Sequence, residues 1–346
     1  MIVAAILAEV TRGGVVESVH HGVVVVVDAA GELLAHAGDP ERFAYFRSSA
    51  KPFQAVPLIE SGAADAFGFT PAELALCCAS HNGSPAHQKQ VAVMLAKLGL
   101  DPDALRCGIS VPYDRGEGAR VVAGLVPPSP LQCDCSGKHT GMLATCLHLG
   151  WPTDSYLDPA HPLQRRILGI MAEVLRVSEA EIHLGTDGCS LPTFGAPVRA
   201  FATAFSALAA PHQVPIGAGR EHAAALDRLR TAMTTHPANV AGLNQVDTTL
   251  MEVAGGRLAA KSGAEGLLCL ALPERGVGVA IRLLDGSSRA KGVVAAAVLE
   301  QAGLLDQATI AAFRAHHDPA IHNHNGIHVG DLRAAFSLEV PAGVAS

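Results

Sequence analysis

Stretches that read as β-strands gather toward the two ends of this 346-residue chain, and the long middle reads as helix. Val15–His20 and Val23–Asp28 are runs of β-branched residues, and Leu33–Ala37 follows the turn residues Ala30-Gly31-Glu32. Far along the chain, Arg257–Ala260, Leu267–Leu272 and Gly276–Leu283 are strand-like again, with Pro273-Glu274-Arg275-Gly276 as a hairpin turn. Strands at both ends around a mostly helical middle suggest one antiparallel sheet made from the two termini. The expectation is an α+β, three-layer unit spanning 1–346, with no boundary that marks separable domains. Its antiparallel sheet comes from the two termini (about 1–45 and 255–346), and helices from about 46–250 cover it.

Helix signals fill the middle. Thr70-Pro71-Ala72-Glu73 is a capping box with proline in the first turn and predicts a helix through Ala79. Ser84-Pro85 opens another that stops at Gly99, and Asp158-Pro159 opens a third to about Arg176. Ser178–Glu181 is a short capping box, Pro192–Ala210 reads as a long buried helix, and Ala223–Thr234 as a further one. Lys291–Ala302 is the last predicted helix, after which the tail reads as loose.

Composition removes several classes of function. Hydrophobic residues make up 49% of the chain and aromatics 4%, enough for a core of small side chains and incompatible with disorder. A net charge of −7 with no basic run gives a nucleic-acid role little support. The longest uncharged stretch, Ala200–Gly219, is interrupted by Pro211 and Pro215 and falls well short of the ~20 residues a membrane span needs. The apolar start lacks a basic segment and a cleavage site, so a cytoplasmic protein is expected, with its eight cysteines mostly thiols.

Three short motifs carry chemistry. Ser48 and Lys51 are three residues apart, so on a helix the amine can reach the hydroxyl and act as its base. Alone, this spacing is equally that of a helix cap beside a solvated lysine. Ser80-His81-Asn82 and Lys261-Ser262-Gly263 add weight, because S-x-x-K, S-x-N and K-[ST]-G in that order form the set of the serine β-lactamases and penicillin-binding proteins. The separations are not those of an ordinary β-lactamase. A fourth cluster, Cys133-Asp134-Cys135-Ser136-Gly137-Lys138-His139, with Asp187-Gly188-Cys189 further on, offers thiols and a carboxylate suited to zinc, or equally cysteines buried in tight glycine turns. The five histidines from His316 to His328 fit no helix-borne metal motif and read as a surface or pocket-closing loop.

The chain resembles the asparaginase II family of rhizobial type. The resemblance runs over nearly its whole length, through FRSSAKPFQA (46–55), CCASHNGS (77–84), CDCSGKHTGML (133–143), GTDGCSLPTF (185–194), KSGAEG (261–266) and NHNGIHVG (323–330). It implies a serine β-lactamase/glutaminase-like fold, hydrolysis of the L-asparagine side-chain amide to aspartate and ammonia, and a homodimer. It also implies serine–lysine pairs at Ser48 with Lys51 and Ser80 with Lys261, and zinc ligands at Cys135, Lys138 and Cys189. On this reading Ser48 attacks, Lys51 removes its proton, and Ser80 with Lys261 passes a proton to the leaving ammonia. The substrate-facing set is Arg47, Asn82, His139 and Asp187, with Arg47 or Lys138 meeting the α-carboxylate and Asp187 the α-ammonium. Zinc is expected to shape the pocket rather than activate water. Pro57 is expected to kink the helix after Ser48. A glutaminase, a penicillin-interactive serine hydrolase and a non-catalytic zinc-binding protein remain as alternatives.

Overall fold

A computed structural model describes residues 4–317 and 319–341. The outermost residues expected in the sheet, 1–3 and 342–346, lie outside this range. The sheet is antiparallel and is built from both ends of the chain, as the sequence predicts. Its strands are β1 (Ala5–Arg12), β2 (Val15–Val27), β3 (Leu33–Ala37), then β7 (Ala259–Gly263), β8 (Leu267–Leu272), β9 (Val277–Leu283), β10 (Ala320–His322) and β11 (His328–Ala334). They lie in the order β10-β11-β1-β2-β9-β8-β7, with β3 on β2. Register is set by Val24 opposite Ile281 and by Lys261 opposite Cys269.

Every residue of β8 is buried, so both sheet faces are covered there and the sheet is a middle layer. The helix Val198–Ala209 lies on one face, so close that a Cβ on Gly278 would collide with the Ala202 carbonyl oxygen. The helix Lys291–Gln301 packs on β1, β9 and β11.

Several sequence expectations need correction. Pro192–Ala210 is not one helix: Pro192–Pro197 is a strand, and the helix begins at Val198. This strand (β6) pairs with β4 (Phe43–Tyr45) and β5 (His183–Thr186) in a second, three-stranded sheet inside the supposed helical middle. A fully buried strand shows no polar alternation, which hides it within an apolar run. The helix expected from Pro159 begins at Pro162, because the His161 imidazole accepts the Leu163 N–H and caps it. The tail is not loose: Gln307–His316 is a helix, and β11 pairs with β1 through Glu9 opposite Arg333, an ion pair of 2.9 Å. Val15–Val27 is one long strand, not two.

Candidate active site

Ser48 lies in a 3-10 turn, Arg47–Ala50, that runs into the short helix Lys51–Gln54. Pro57 lies in the first turn of the next short helix, Val56–Glu60, so the chain breaks at Ala55, as its proline predicts. The turn is pinned from three sides. Phe46 stacks on Phe201 at 4.4 Å between ring centroids and packs near Phe53 and Phe205. Its backbone N–H bonds to Phe194 of β6, and the Ser49 hydroxyl bonds to the Lys261 carbonyl of β7 at 2.8 Å. Arg47 has φ +46°, a conformation that costs a side-chain-bearing residue energy and is held here by those contacts.

The Lys51 amine turns to Ser80 rather than to Ser48. It donates to the Ser80 hydroxyl at 2.8 Å and to the Ala79 carbonyl at 2.6 Å. Lys261 reaches the same hydroxyl from the opposite strand, 2.9 Å from Ser80 Oγ, and also bonds to the Ser262 carbonyl. Ser48 is half-buried and makes no side-chain hydrogen bond among the described residues. Ser48 and Lys51 nonetheless share one side, because residues three apart eclipse across a 3-10 turn. Ser80 itself sits just after the helix Pro71–Cys77, which starts at the predicted capping box.

The two lysines are both fully buried, yet their environments drive them apart. Burial pushes the Lys51 amine down, but the Cys135 thiolate and Asp134 carboxylate outweigh it and hold it above the ordinary lysine value. Burial dominates at Lys261 and, with repulsion from the Lys51 cation, brings it to about 8 despite Asp247. Asp134, 3.7 Å from Lys51, and Asp247, 3.9 Å from Lys261, are the carboxylates of the site. Asp247 also accepts the Ser262 backbone N–H and hydroxyl. Asp134 lies within the Cys133–His139 motif, whereas nothing local in the sequence marks Asp247.

Ser80, Asn82, Lys261 and Ser262 line an open cleft of about 380 Å³. Asn82 accepts the Ser84 N–H, and its amide packs on Gly242, where φ is +108° and a Cβ would come within 2.6 Å. Arg47 and Asp187 pair at 2.7 Å and, like Ser48, are not part of the cleft lining. His139 does not line it either: it is fully buried, with Nδ1 on the Tyr156 hydroxyl at 2.7 Å. Burial and the neighbouring Lys138 cation push its pKa down, so it is neutral.

Cys135, Lys138 and Cys189 come together beside these residues. The Lys138 amine lies 3.1 Å from Cys189 Sγ, and Cys135 is held as a low-pKa thiol by hydrogen bonds from Cys133 and Cys189. Two sulfurs and an amine, all buried, are a donor set that fits a borderline-soft ion such as zinc. Cys133, Asp134 and Cys135 also place ligand atoms within 4.8 Å of one another. Without an ion Lys138 is a cation, raised by the cysteines and by Asp187 against the effect of burial, so a metal would have to displace its proton.

A three-layer fold with a lysine-flanked serine in an open cleft is the setting of an amide-hydrolysing enzyme. The family described as L-asparaginase II matches residues 8–334, and the chain belongs to that family, which makes it an amidohydrolase. A comparison with curated proteins returns no match. Among solved structures it is similar to a beta-lactamase from Mycobacterium bovis, 16% identical over 81% of this chain and 94% of that one, with a TM-score of 0.42. It is also similar to a protein named Mglu, 16% identical over 82% of this chain and 67% of that one, with a TM-score of 0.36.

Proposed function

We propose that the protein hydrolyses the side-chain amide of L-asparagine to L-aspartate and ammonia through a serine acyl-enzyme. The observation that carries this reading is the unbroken chain from the Lys51 amine through the Ser80 hydroxyl to the Lys261 amine, at 2.8 and 2.9 Å. A serine hydroxyl attacks an amide only if its proton has somewhere to go. Neutral Lys261 takes the Ser80 proton, Ser80 takes one from Lys51, and Lys51 takes the Ser48 proton as Ser48 Oγ bonds to the amide carbon. The carbon–nitrogen bond then breaks, and the proton stored on Lys261 returns along the same path to the leaving nitrogen, which departs as ammonia. Water attacks the ester and gives its proton to the chain, which hands it back to Ser48 Oγ as the carbon–oxygen ester bond breaks, so that aspartate leaves and Lys261 is neutral again. Asp187, kept in place by Arg47, receives the substrate α-ammonium. Cys135, Lys138 and Cys189 would hold zinc, which would fix the wall beside Lys51 and add positive charge there.

The test is ammonia release from L-asparagine, measured beside L-glutamine and nitrocefin. Selective turnover of asparagine is expected. Glutamine or nitrocefin as the better substrate would replace the reading. Ser48→Ala should abolish turnover with the fold intact, whereas Ser80→Ala, which interrupts the proton path, should leave a residue of activity. The reverse ranking would make Ser80, the hydroxyl that both lysines touch, the attacking group.

A further inference from the structure

The proton path passes beside a buried carboxylate that it does not use. Asp247 stands in the first turn of the helix Val246–Ala254, where the helix N-terminus favours negative charge. Among the described residues it is the one carboxylate that pairs with the Lys261 amine, yet at 3.9 Å it stops short of a hydrogen bond. Ser262 accounts for the gap. Its backbone N–H donates to Asp247 Oδ2 at 2.6 Å, and its hydroxyl donates to Oδ1. Both carboxylate oxygens are thereby occupied, and the lysine amine is left to the Ser262 carbonyl at 2.7 Å and to Ser80. Asp247 is buried, as are Lys261 and Lys51, so water does little to screen its charge.

We infer that Asp247 and Ser262 position Lys261: Ser262 holds the carboxylate one step back, where its charge steadies the amine without drawing it away from Ser80. The inference rests on the proposed proton path and extends it. A direct ion pair would keep the proton on the lysine and turn its amine from the serine. Without the carboxylate, Lys261 would be a buried cation facing the repelling Lys51 cation. The other titratable groups around Lys261 do not fill this role. Asp134 lies against Lys51 at 3.7 Å, and Lys291 is a second repelling cation, with its amine on the Gly263 carbonyl. The nearby thiols of Cys78 and Cys269 are kept protonated by burial.

The experiment uses the full chain and follows Lys261 by two routes. With the lysine Nζ atoms isotope-labelled for NMR, the Lys261 signal is the one that Lys261→Met removes, and its midpoint is read against pH. The pH profile of kcat/KM for L-asparagine is recorded beside it. Asp247→Asn keeps the shape and loses the charge. It should move the midpoint and the inflection down by at least ~1 pH unit, with kcat at least ~10-fold lower and KM within ~2-fold. Ser262→Ala frees one carboxylate oxygen to close on Lys261, and should move both upward, again with a lower kcat. A carboxylate that merely ties helix to strand would not give shifts of opposite sign. Shifts of the same sign, or unmoved midpoints, would overturn the inference, as would a raised KM with kcat kept, which would put Asp247 on the substrate. If Asp247→Asn does not fold, Ser262→Ala decides alone, and the absence of its upward shift overturns the inference. Opposite midpoint shifts in a protein that releases no ammonia from asparagine would leave the positioning in place and overturn the asparaginase reading.

Discussion

Lys261 is enclosed on all sides, and an amine in such a place is easier to deprotonate than one in water. Its pKa of about 8 means that it is mostly charged below pH 8 and mostly neutral above it. As the final proton acceptor it must be neutral, so kcat/KM for asparagine should climb with pH and level off above an inflection near 8. Lys261→Met should remove both most of the activity, at least ~10²-fold, and that inflection. A profile that keeps its inflection in the variant would assign the titration to another group. The sign for stability follows the same way: a buried amine with a lowered pKa makes folding more favourable as pH rises from about 8 toward the ordinary lysine value. Of the site, the sequence disclosed the residue types and their motifs. It did not disclose that the Lys51 amine leaves its near neighbour Ser48 for a hydroxyl 29 positions further along, because nothing local dictates that turn.

Helix starts were the most readable elements. The Thr70–Glu73 capping box is present with both of its reciprocal bonds, and the Ser84 hydroxyl accepts the His87 N–H, because each depends only on residues three apart. Strand β6 lies between β5 and the distant β4, and β11 between β10 and the distant β1, so half of what makes each of them a strand lies far along the chain. Gly278 shows the same limit. It lies within a strand that was anticipated, yet only the structure reveals that a helix passes over it at backbone distance. Gly278→Ala should therefore push the helix Val198–Ala209 from the sheet and cost about 1–3 kcal/mol or somewhat more. Urea denaturation would register this as a lower midpoint with an unchanged slope. Since the same helix bears Phe201 and Phe205 beneath the Ser48 turn, part of the activity should fall as well. An unaltered midpoint would mean that this contact yields without cost.

At the scale of the molecule, the cluster of Cys135, Lys138 and Cys189 ties the start of the helix Ser136–Leu149 to the loop between β5 and β6. A metal held there binds only the folded chain and so adds to its stability. Removing it with a chelator should lower Tm and raise KM for asparagine more than it lowers kcat. Cys135→Ala should show the lower Tm from the outset and no further change with chelator. A wild type indifferent to chelation in both Tm and KM would leave the cluster without a metal role. The strand order has a consequence for the moment of synthesis. Strands β1 and β2 lie between β11 and β9, so the first hairpin to leave the ribosome must wait, both edges open, for more than two hundred residues to follow. Closure over such separations is slow, and an apolar hairpin left waiting is exposed to neighbouring chains. Lys261 belongs to that late-arriving group of strands. The nascent protein is therefore inert until its sheet is filled from the far end, and a chain cut short before β9 would be an aggregation hazard instead of a weak enzyme.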